Sequence, residues 1–474
     1  MSLTSPEPMT DPARDVVIVA GASGFVGRAL GLALARNLRP VGLSRQDRPG
    51  SNGYERFVQC DLLSLEDTER ALAGARYAVY LVHSMMPASR LTQASFDDLD
   101  LICADNFARA AKKAGVERIV YLGGLMADET DALSDHLQSR LEVERVLGST
   151  GVPVTVLRAG LVLGAAGSSY QILSRLVRRL PVMICPTWTH TKTQAVALSD
   201  VVELLAFAVG DDASSGGVFD VAAPEVVSYL EIMKRFAALA GKRRAFVGVP
   251  FFSPGLSRLW LSLITGAPRA LAGPLVESLR HEMTAKDSRL AQAAGLEPTP
   301  FDKALAMSVA EEEKLGGEAF AFAVAGASAS APASRSTVTS VQRMTLHAGR
   351  DAAWAAAEYP RWLARTLGLL LSVVTGIGGA VQFRLRGVGT VLLELVPVTA
   401  RSSSDRFLYR VAGGALVRRG QAGTFEVREV KGDGTVLTIV RDFEPRLPWW
   451  FYRATQAIAH EWIMHAFGRA IARA

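Results

Sequence analysis

The stretch Gly21-Ala22-Ser23-Gly24-Phe25-Val26-Gly27 constrains this chain more than any other, because it stands between an apolar, β-branched run at 16–20 and an amphipathic stretch at 25–36. A strand must end there, turn into a helix within a few residues, and leave main chain bare at the join. Gly21 permits the sharp turn, Gly24 lets the backbone approach a pyrophosphate, and Gly27 lets helix and strand pack closely. The helix N-terminus, at the amides of Phe25 and Val26, offers free N–H groups and a positive dipole end to phosphate oxygens, with the Ser23 hydroxyl as a further donor. The expected ligand is a dinucleotide.

The rest of the first 300 residues fits that start. Short apolar runs recur at 16–20, 39–43, 55–58, 78–82, 118–122 and 153–157, and helical stretches such as 99–114 and 139–147 lie between them. This alternation predicts the α/β class, a doubly wound parallel sheet of the Rossmann type. A chain of 474 residues is too long for one ordinary core. The expected division is a tail at 1–14, a dinucleotide-binding domain at 15–315, a Gly/Ala/Ser linker at 316–340 and a second domain at 341–474. Within the first domain, about 205–300 is expected to cap the substrate cleft, its apolar block 249–279 carrying Pro, Gly, Trp and Leu. The second domain reads as α+β. Strands are predicted at 380–386, 390–396, 406–411, 425–430 and 435–440, the last two joined by Lys431-Gly432-Asp433-Gly434, whose Asp-Gly pair suits a hairpin. A long amphipathic helix at 448–472 follows, with Phe451, Ala454, Ile458 and Trp462 on the face expected to pack on that antiparallel sheet.

Composition removes several classes of function. The 52 basic and 46 acidic residues are scattered, so nucleic acid is not an expected partner. Cys60, Cys103 and Cys185 stand far apart, which excludes a disulfide framework or zinc ribbon and suits a reducing cytoplasm. Residues 1–14 show no secretory leader, and the uncharged run 366–383 is broken by Gly and Ser, so no transmembrane span is expected. His460 and His465 are five apart, about 140° around a helix, too far round to share a metal, and no metal is expected. The glycine-rich 164–169 has no Lys after it and reads as a flexible loop beside the substrate cleft rather than a P-loop. Trp449-Trp450-Phe451-Tyr452 is either core or a peripheral contact with a membrane surface.

The GxxGxxG spacing resembles that of the extended and atypical short-chain dehydrogenase/reductase families over about residues 15–300. The resemblance implies NAD(P)(H) as cofactor. It places Asp61 and Leu62, in Cys60-Asp61-Leu62, against adenine, and Val82 and His83, in Tyr80-Leu81-Val82-His83, on the nicotinamide-ribose side. Leu157-Arg158-Ala159-Gly160 stands where the family usually has Arg-Pro-Gly, and Leu198-Ser199-Asp200-Val201-Val202 resembles a late family segment that serves structure. The catalytic set departs from the family. A Ser is expected after the fifth strand and Tyr-x-x-x-Lys on the next helix; here Tyr121-Leu122-Gly123-Gly124-Leu125 and His136-Leu137-Gln138-Ser139-Arg140 stand in those places. His136 and Arg140 share a helix face, so the imidazole is a candidate acid or base beside the nicotinamide ribose and Arg140 a candidate cofactor ligand. The alternative leaves His136 merely packed and Arg140 merely binding cofactor.

Cofactor choice turns on the end of the second strand. Ser44-Arg45-Gln46-Asp47-Arg48 puts a hydroxyl and a guanidinium where a 2′-phosphate would sit, favouring NADP over NAD. Asp47 pulls the other way, and the alternative reading leaves Arg45 and Arg48 as solvated loop charges. Three functions remain open: a reductase or epimerase-like enzyme acting on a small apolar substrate; a catalytically degenerate sensor or assembly protein working through a partner, as the NmrA-like regulators and the 39-kDa-type subunit of respiratory complex I imply; and a lipid or isoprenoid binder, since a sheet with a long C-terminal helix resembles the START-like helix-grip domains.

Overall fold

The computed structural model describes residues 14–83, 91–127, 133–249, 277–315, 337–418, 423–430 and 432–474. Most of the 249–279 cap, most of the 316–340 linker, Lys431 and nearly all of the N-terminal tail lie outside them. The chain divides into two compact units, one of 1–85 with 103–328 and the other of 86–102 with 329–474.

In chain order the first unit begins with β1 (Val16–Ala20), α1 (Phe25–Leu34), β2 (Arg39–Ser44), β3 (Arg56–Gln59), α2 (Leu65–Leu72) and β4 (Tyr77–Tyr80). After β5 (Leu91–Gln93), which belongs to the second unit, come α3 (Phe96–Ala114), β6 (Arg118–Gly124), α4 (Asp135–Gly148), β7 (Val154–Ala159), β8 (Leu161–Leu163) and α5 (Ser168–Arg179). Then follow β9 (Val182–Pro186), β10 (Lys192–Ala197), α6 (Leu198–Gly210), β11 (Val218–Val221), β12 (Val226–Ser228), α7 (Tyr229–Leu239), β13 (Ala245–Val249), α8 (Arg289–Ala293) and α9 (Phe301–Lys314). Seven strands form one sheet in the order β11-β7-β6-β4-β1-β2-β3, every pairing parallel. This is the expected Rossmann sheet. Its strands are continuous apolar runs because both faces are covered: β1 contributes Val17 and Val19 to a core shared with Leu30, Ala33 and Leu34 of α1 and Val201, Leu204, Leu205 and Ala208 of α6.

The strand order reverses at β1, which lies between β2 and β4, so the crevice at its carboxyl end is the topological switch point where ligands of such sheets bind. Two small sheets, β12-β10-β8 and β13-β9, flank a second core in which Tyr170 and Leu176 of α5 meet Ile232 and Phe236 of α7 and Phe301 and Leu305 of α9. The late Ser199-Asp200-Val201 motif is structural here. The Asp200 carboxylate accepts from the amide of Thr299 at 2.6 Å, its hydroxyl at 2.8 Å and the Ser199 hydroxyl at 3.0 Å, pinning the start of α6 to the approach to α9.

The second unit adds β14 (Val338–Thr345), α10 (Ala352–Thr366), β15 (Leu371–Thr375), β16 (Val381–Leu385), β17 (Val391–Pro397), β18 (Arg406–Gly413), β19 (Thr424–Val430), β20 (Thr435–Phe443), α11 (Trp449–Ala454) and α12 (Gln456–Ile471). Its eight strands run β15-β16-β17-β18-β19-β20-β14-β5, antiparallel throughout except for the parallel pair β14–β5. The rings of Tyr359, Phe383, Phe425, Trp362 and Phe467 fill the space between sheet and helices, where a helix-grip domain would enclose its ligand.

Two expectations about the C-terminal helix are corrected. It is not continuous: Thr455, at φ −130° and ψ −78°, separates α11 from α12. The face of Phe451, Ala454, Ile458 and Trp462 does not pack on the sheet, and Phe451, Ile458 and Trp462 are 41%, 60% and 56% exposed. The buried stripe is Tyr452, Ala457, Met464, Phe467 and Ile471. The helices are apolar on two sides, and Gly468, where a side chain would press on Met344, admits the second stripe close to β14.

Candidate functional site

The glycine turn has the geometry that its sequence predicts. Gly21 sits at φ +86°, a left-handed conformation that only glycine adopts freely, and a Cβ there would also press on Leu81 at 3.1 Å. At Gly27 a Cβ would lie 2.2 Å from the Gly21 carbonyl oxygen, so no side chain fits between helix and strand. Gly24 differs. Its backbone is extended, it is exposed, and a Cβ would meet only the Gly21 oxygen at 3.1 Å, so its bareness is open to a ligand rather than required by packing.

The helix end behind it is prepared for an anion. The first helical bond of α1 runs from Arg28 N to Gly24 O at 3.1 Å, leaving the amides of Phe25, Val26 and Gly27 ahead of the ladder. No side chain caps this end and no acidic residue lies in its first turn. By contrast, α2, α4, α7 and α10 are capped by Ser64, Ser134, Ser228 and Asp351. Phe25 holds the turn from outside: its ring lies where Cβ atoms on Gly164 and Gly167 would fall, at 2.7 and 2.9 Å. The glycine-rich 164–167 stretch thus supports the dinucleotide turn, an arrangement not legible from the stretch itself. These residues fit a pyrophosphate: a bare backbone cradle, three amides outside the helical ladder, and a dipole end with no carboxylate.

At the end of β2, Ser44 is buried and its hydroxyl accepts from Gln46 N at 3.2 Å, closing the turn. Arg45 is exposed, and its guanidinium has no partner among the described residues. Asp61 follows β3 and bends the chain, its carboxylate accepting from Leu63 N at 3.1 Å, while the Leu62 carbonyl accepts from Asn106 at 2.7 Å.

Where the resemblance places the nicotinamide ribose, the structure brings together a pair that the sequence left apart. His83 Nε2 and His136 Nδ1 lie 3.3 Å apart, the two rings tilted edge to face with centroids 4.9 Å apart. His83 follows β4; His136 is in the first turn of α4, behind the Ser134 cap. Arg140 is one turn further, on the same helix face, but turns to β6, where its Nη1 donates to the Leu122 carbonyl at 3.2 Å. Its Nε is buried and has no hydrogen-bond partner among the described residues. Below it, Arg158 donates to both carboxylate oxygens of Glu144 at 2.9 and 3.1 Å and so fixes α4 against β7. Where the family places its serine, a Cβ on Gly124 would meet nothing within 4 Å, so there is room at the end of β6. The pairing of His83 with His136 was legible in principle, since strand ends and helix starts share one edge of a parallel sheet.

Elsewhere, burial holds the imidazole of His460 at a pKa of about 4, hence neutral near pH 7, and no cluster among the described residues is arranged to hold a metal. Cys60, Cys103 and Cys185 are buried free thiols. No helix among the described residues is long and apolar enough to cross a membrane.

Residues 21–179 match the family model described as NAD(P)H-binding. Among curated proteins, the chain is 29% identical over 140 residues to the auxiliary protein GraX of Staphylococcus aureus, spanning 29% of this chain and 42% of that protein. It is 26% identical over 251 residues to the ceramide reductase of Caulobacter vibrioides, spanning 52% of this chain and 77% of the reductase. The chain thus covers less than half of the length of GraX. Among solved structures, the NADPH-dependent quinone oxidoreductase QOR2 of Escherichia coli, in complex with NADPH, superposes with a TM-score of 0.50 at 20% identity, covering 62% of this chain and 98% of that one, a likeness of fold. The bare glycine turn at the switch point and the family match meet in the same residues, and 21–179 form an NAD(P)H-binding domain built on the Rossmann sheet.

Proposed function

We propose that this protein is an NADPH-dependent reductase of an apolar carbonyl compound, in which His83 and His136 together take the place of the family's tyrosine and lysine. The observation that carries this reading is the 3.3 Å approach of the two imidazoles beside the crevice at the end of β4. Bound NADPH supplies the hydride that adds to the carbonyl carbon. The pair supplies the proton. One ring nitrogen must donate to the other, so each imidazole fixes the tautomer of its partner, and a proton given from one ring to the carbonyl oxygen can be replaced through the other. Starting from a pair that carries one extra proton, hydride and that proton together turn the carbonyl into an alcohol, and NADP+ and a neutral pair remain.

Three features set the cofactor. The amides of Phe25, Val26 and Gly27 take the pyrophosphate, Arg45 and Ser44 the 2′-phosphate, and Asp61 with Leu62 the adenine. Arg140, through its unpartnered Nε, binds on the nicotinamide-ribose side. An apolar substrate is supported by the curated relative named for ceramide reduction and by the room beside Gly124.

The test is NADPH consumption by the purified full chain with a panel of long-chain ketones, β-keto amides and quinones, each paired with a His136→Gln control. Turnover that falls about a hundredfold in the control is expected. Tight NADPH binding without turnover across the panel would favour the competing reading, a redox-sensing protein that acts through a partner.

A further inference from the structure

The apolar face misassigned by the sequence pattern is the most exposed hydrophobic surface of the two C-terminal helices. Trp450 is 73% exposed and Trp462 56%, with Phe451 and Ile458 beside them in the sequence of the same two helices. Folded proteins rarely leave indole rings bare without a use for them. Neither helix is loose: Tyr452, Ala457, Met464 and Phe467 anchor them in the core of the second unit, so the outward face is held in place rather than unfolded.

Charge says what covers it. Over 446–474 four arginines, Arg446, Arg453, Arg469 and Arg473, stand against a single carboxylate side chain, Glu461. All four are exposed and none makes an ion pair among the described residues. A protein partner with a dry apolar interface gives no reason for a set of unneutralised guanidiniums in the same stretch of chain as the exposed rings. A surface that is apolar below and anionic above does: indole rings settle at the headgroup level of a bilayer while arginine stems extend along it and leave their charges among phosphates.

We propose that the outer face of α11 and α12 seats this protein on an anionic lipid surface. The proposal stands apart from the reductase reading and is tested without turnover. Full-length protein is mixed with vesicles of phosphatidylglycerol and phosphatidylcholine in equal parts, or of phosphatidylcholine alone, and floated through a density gradient. Wild type is expected to float with the mixed vesicles, to be released by high salt, and to float poorly with phosphatidylcholine alone. Trp450→Ser with Trp462→Ser, and separately Arg453→Glu with Arg469→Glu, should each lower the partition at least about tenfold. An unchanged far-UV circular-dichroism spectrum and an unchanged cooperative melt in both double variants certify that the second unit, which carries the substitutions, is folded. Wild type that stays unbound, that binds both vesicle types equally, or whose binding survives either double substitution overturns the proposal. So does a dimer in sedimentation that Trp450→Ser with Trp462→Ser dissociates, since the face would then belong to a second copy.

Discussion

The glycine turn allows ligand binding and folding to be separated by single substitutions. Gly24→Val should leave the fold nearly intact: the residue is exposed, its φ of −77° and ψ of −178° suit any side chain, and its Cβ would meet only one backbone oxygen, at 3.1 Å. The cost to stability should stay within about 1 kcal/mol. The branched side chain, however, fills the cradle in front of the amides of Phe25, Val26 and Gly27. Loss of two hydrogen bonds to charged oxygens, at about 1.5–3 kcal/mol each, weakens NADPH by at least about 3 kcal/mol, or more than about a hundredfold in Kd. Gly27→Ala should behave the other way. Its methyl would lie 2.2 Å from the Gly21 oxygen and 2.7 Å from Ala22 Cα, and because both are backbone, strand and helix must separate. Overpacking of that kind costs about 1–3 kcal/mol, several degrees in Tm for a domain of this size. Calorimetric titration with NADPH gives the first quantity, and the melting transition that NADPH stabilises gives the second. Wild-type NADPH affinity in Gly24→Val would falsify the placement of the pyrophosphate, and an unshifted melt in Gly27→Ala would refute the packing argument.

Three further outcomes are expected. Arg45→Asp should weaken NADP(H) by about 1.5–3 kcal/mol in titration calorimetry and change NAD(H) little, whereas equal weakening of both would remove Arg45 from the 2′-phosphate. His83→Gln should lower kcat about a hundredfold and alter the pH profile while leaving NADPH affinity within about threefold, and an unchanged profile would reduce the residue to packing. Glu426→Gln should cost the second unit about 3–5 kcal/mol at pH 7, because Arg428 and Arg406 would stay buried facing a neutral amide in place of the carboxylate that each now pairs with. Burial pushes the Glu426 carboxyl up, but the two guanidiniums outweigh it and hold it below the ordinary 4.5. Its contribution is therefore full above that value and lost as pH falls through the lower folded one, so variant and wild-type stabilities should converge in acid; a constant difference down to that range counts against the assignment.

The strands of the first unit were legible because parallel strands buried on both faces are written as short unbroken apolar runs: 16–20 coincides with β1, and 39–43 and 118–122 fall inside β2 and β6. The glycine turn was legible because its backbone admits few residues. What failed was information carried by partners far along the chain. The face of Phe451, Ile458 and Trp462 follows helical spacing as well as the stripe of Ala457, Met464 and Phe467 does, and only the meeting with Met344 and the rings of α10 decides which turns inward. The imidazole contact of His83 and His136 spans 53 residues and two element ends, and the i, i+4 rule led instead to Arg140, which bonds to backbone. Likewise, the Gly164–Gly167 stretch shows its purpose only with Phe25 against it.

The second unit draws on two separated stretches of chain, and this bears on how the molecule is made. β5 leaves the ribosome long before β14, its neighbour in the sheet: Asp98, just beyond β5, pairs with Arg343 of β14 across 245 residues. At about 5–20 residues per second that is a delay on the order of 10–50 s, far longer than a nascent Rossmann unit takes to collapse. For that interval β5 lacks β14, the strand it pairs with, while the first unit is already folding. Closure of β5 onto β14 is then a late, high-separation step, the sort that sets the folding rate and exposes an unpaired strand edge to other chains in the meantime.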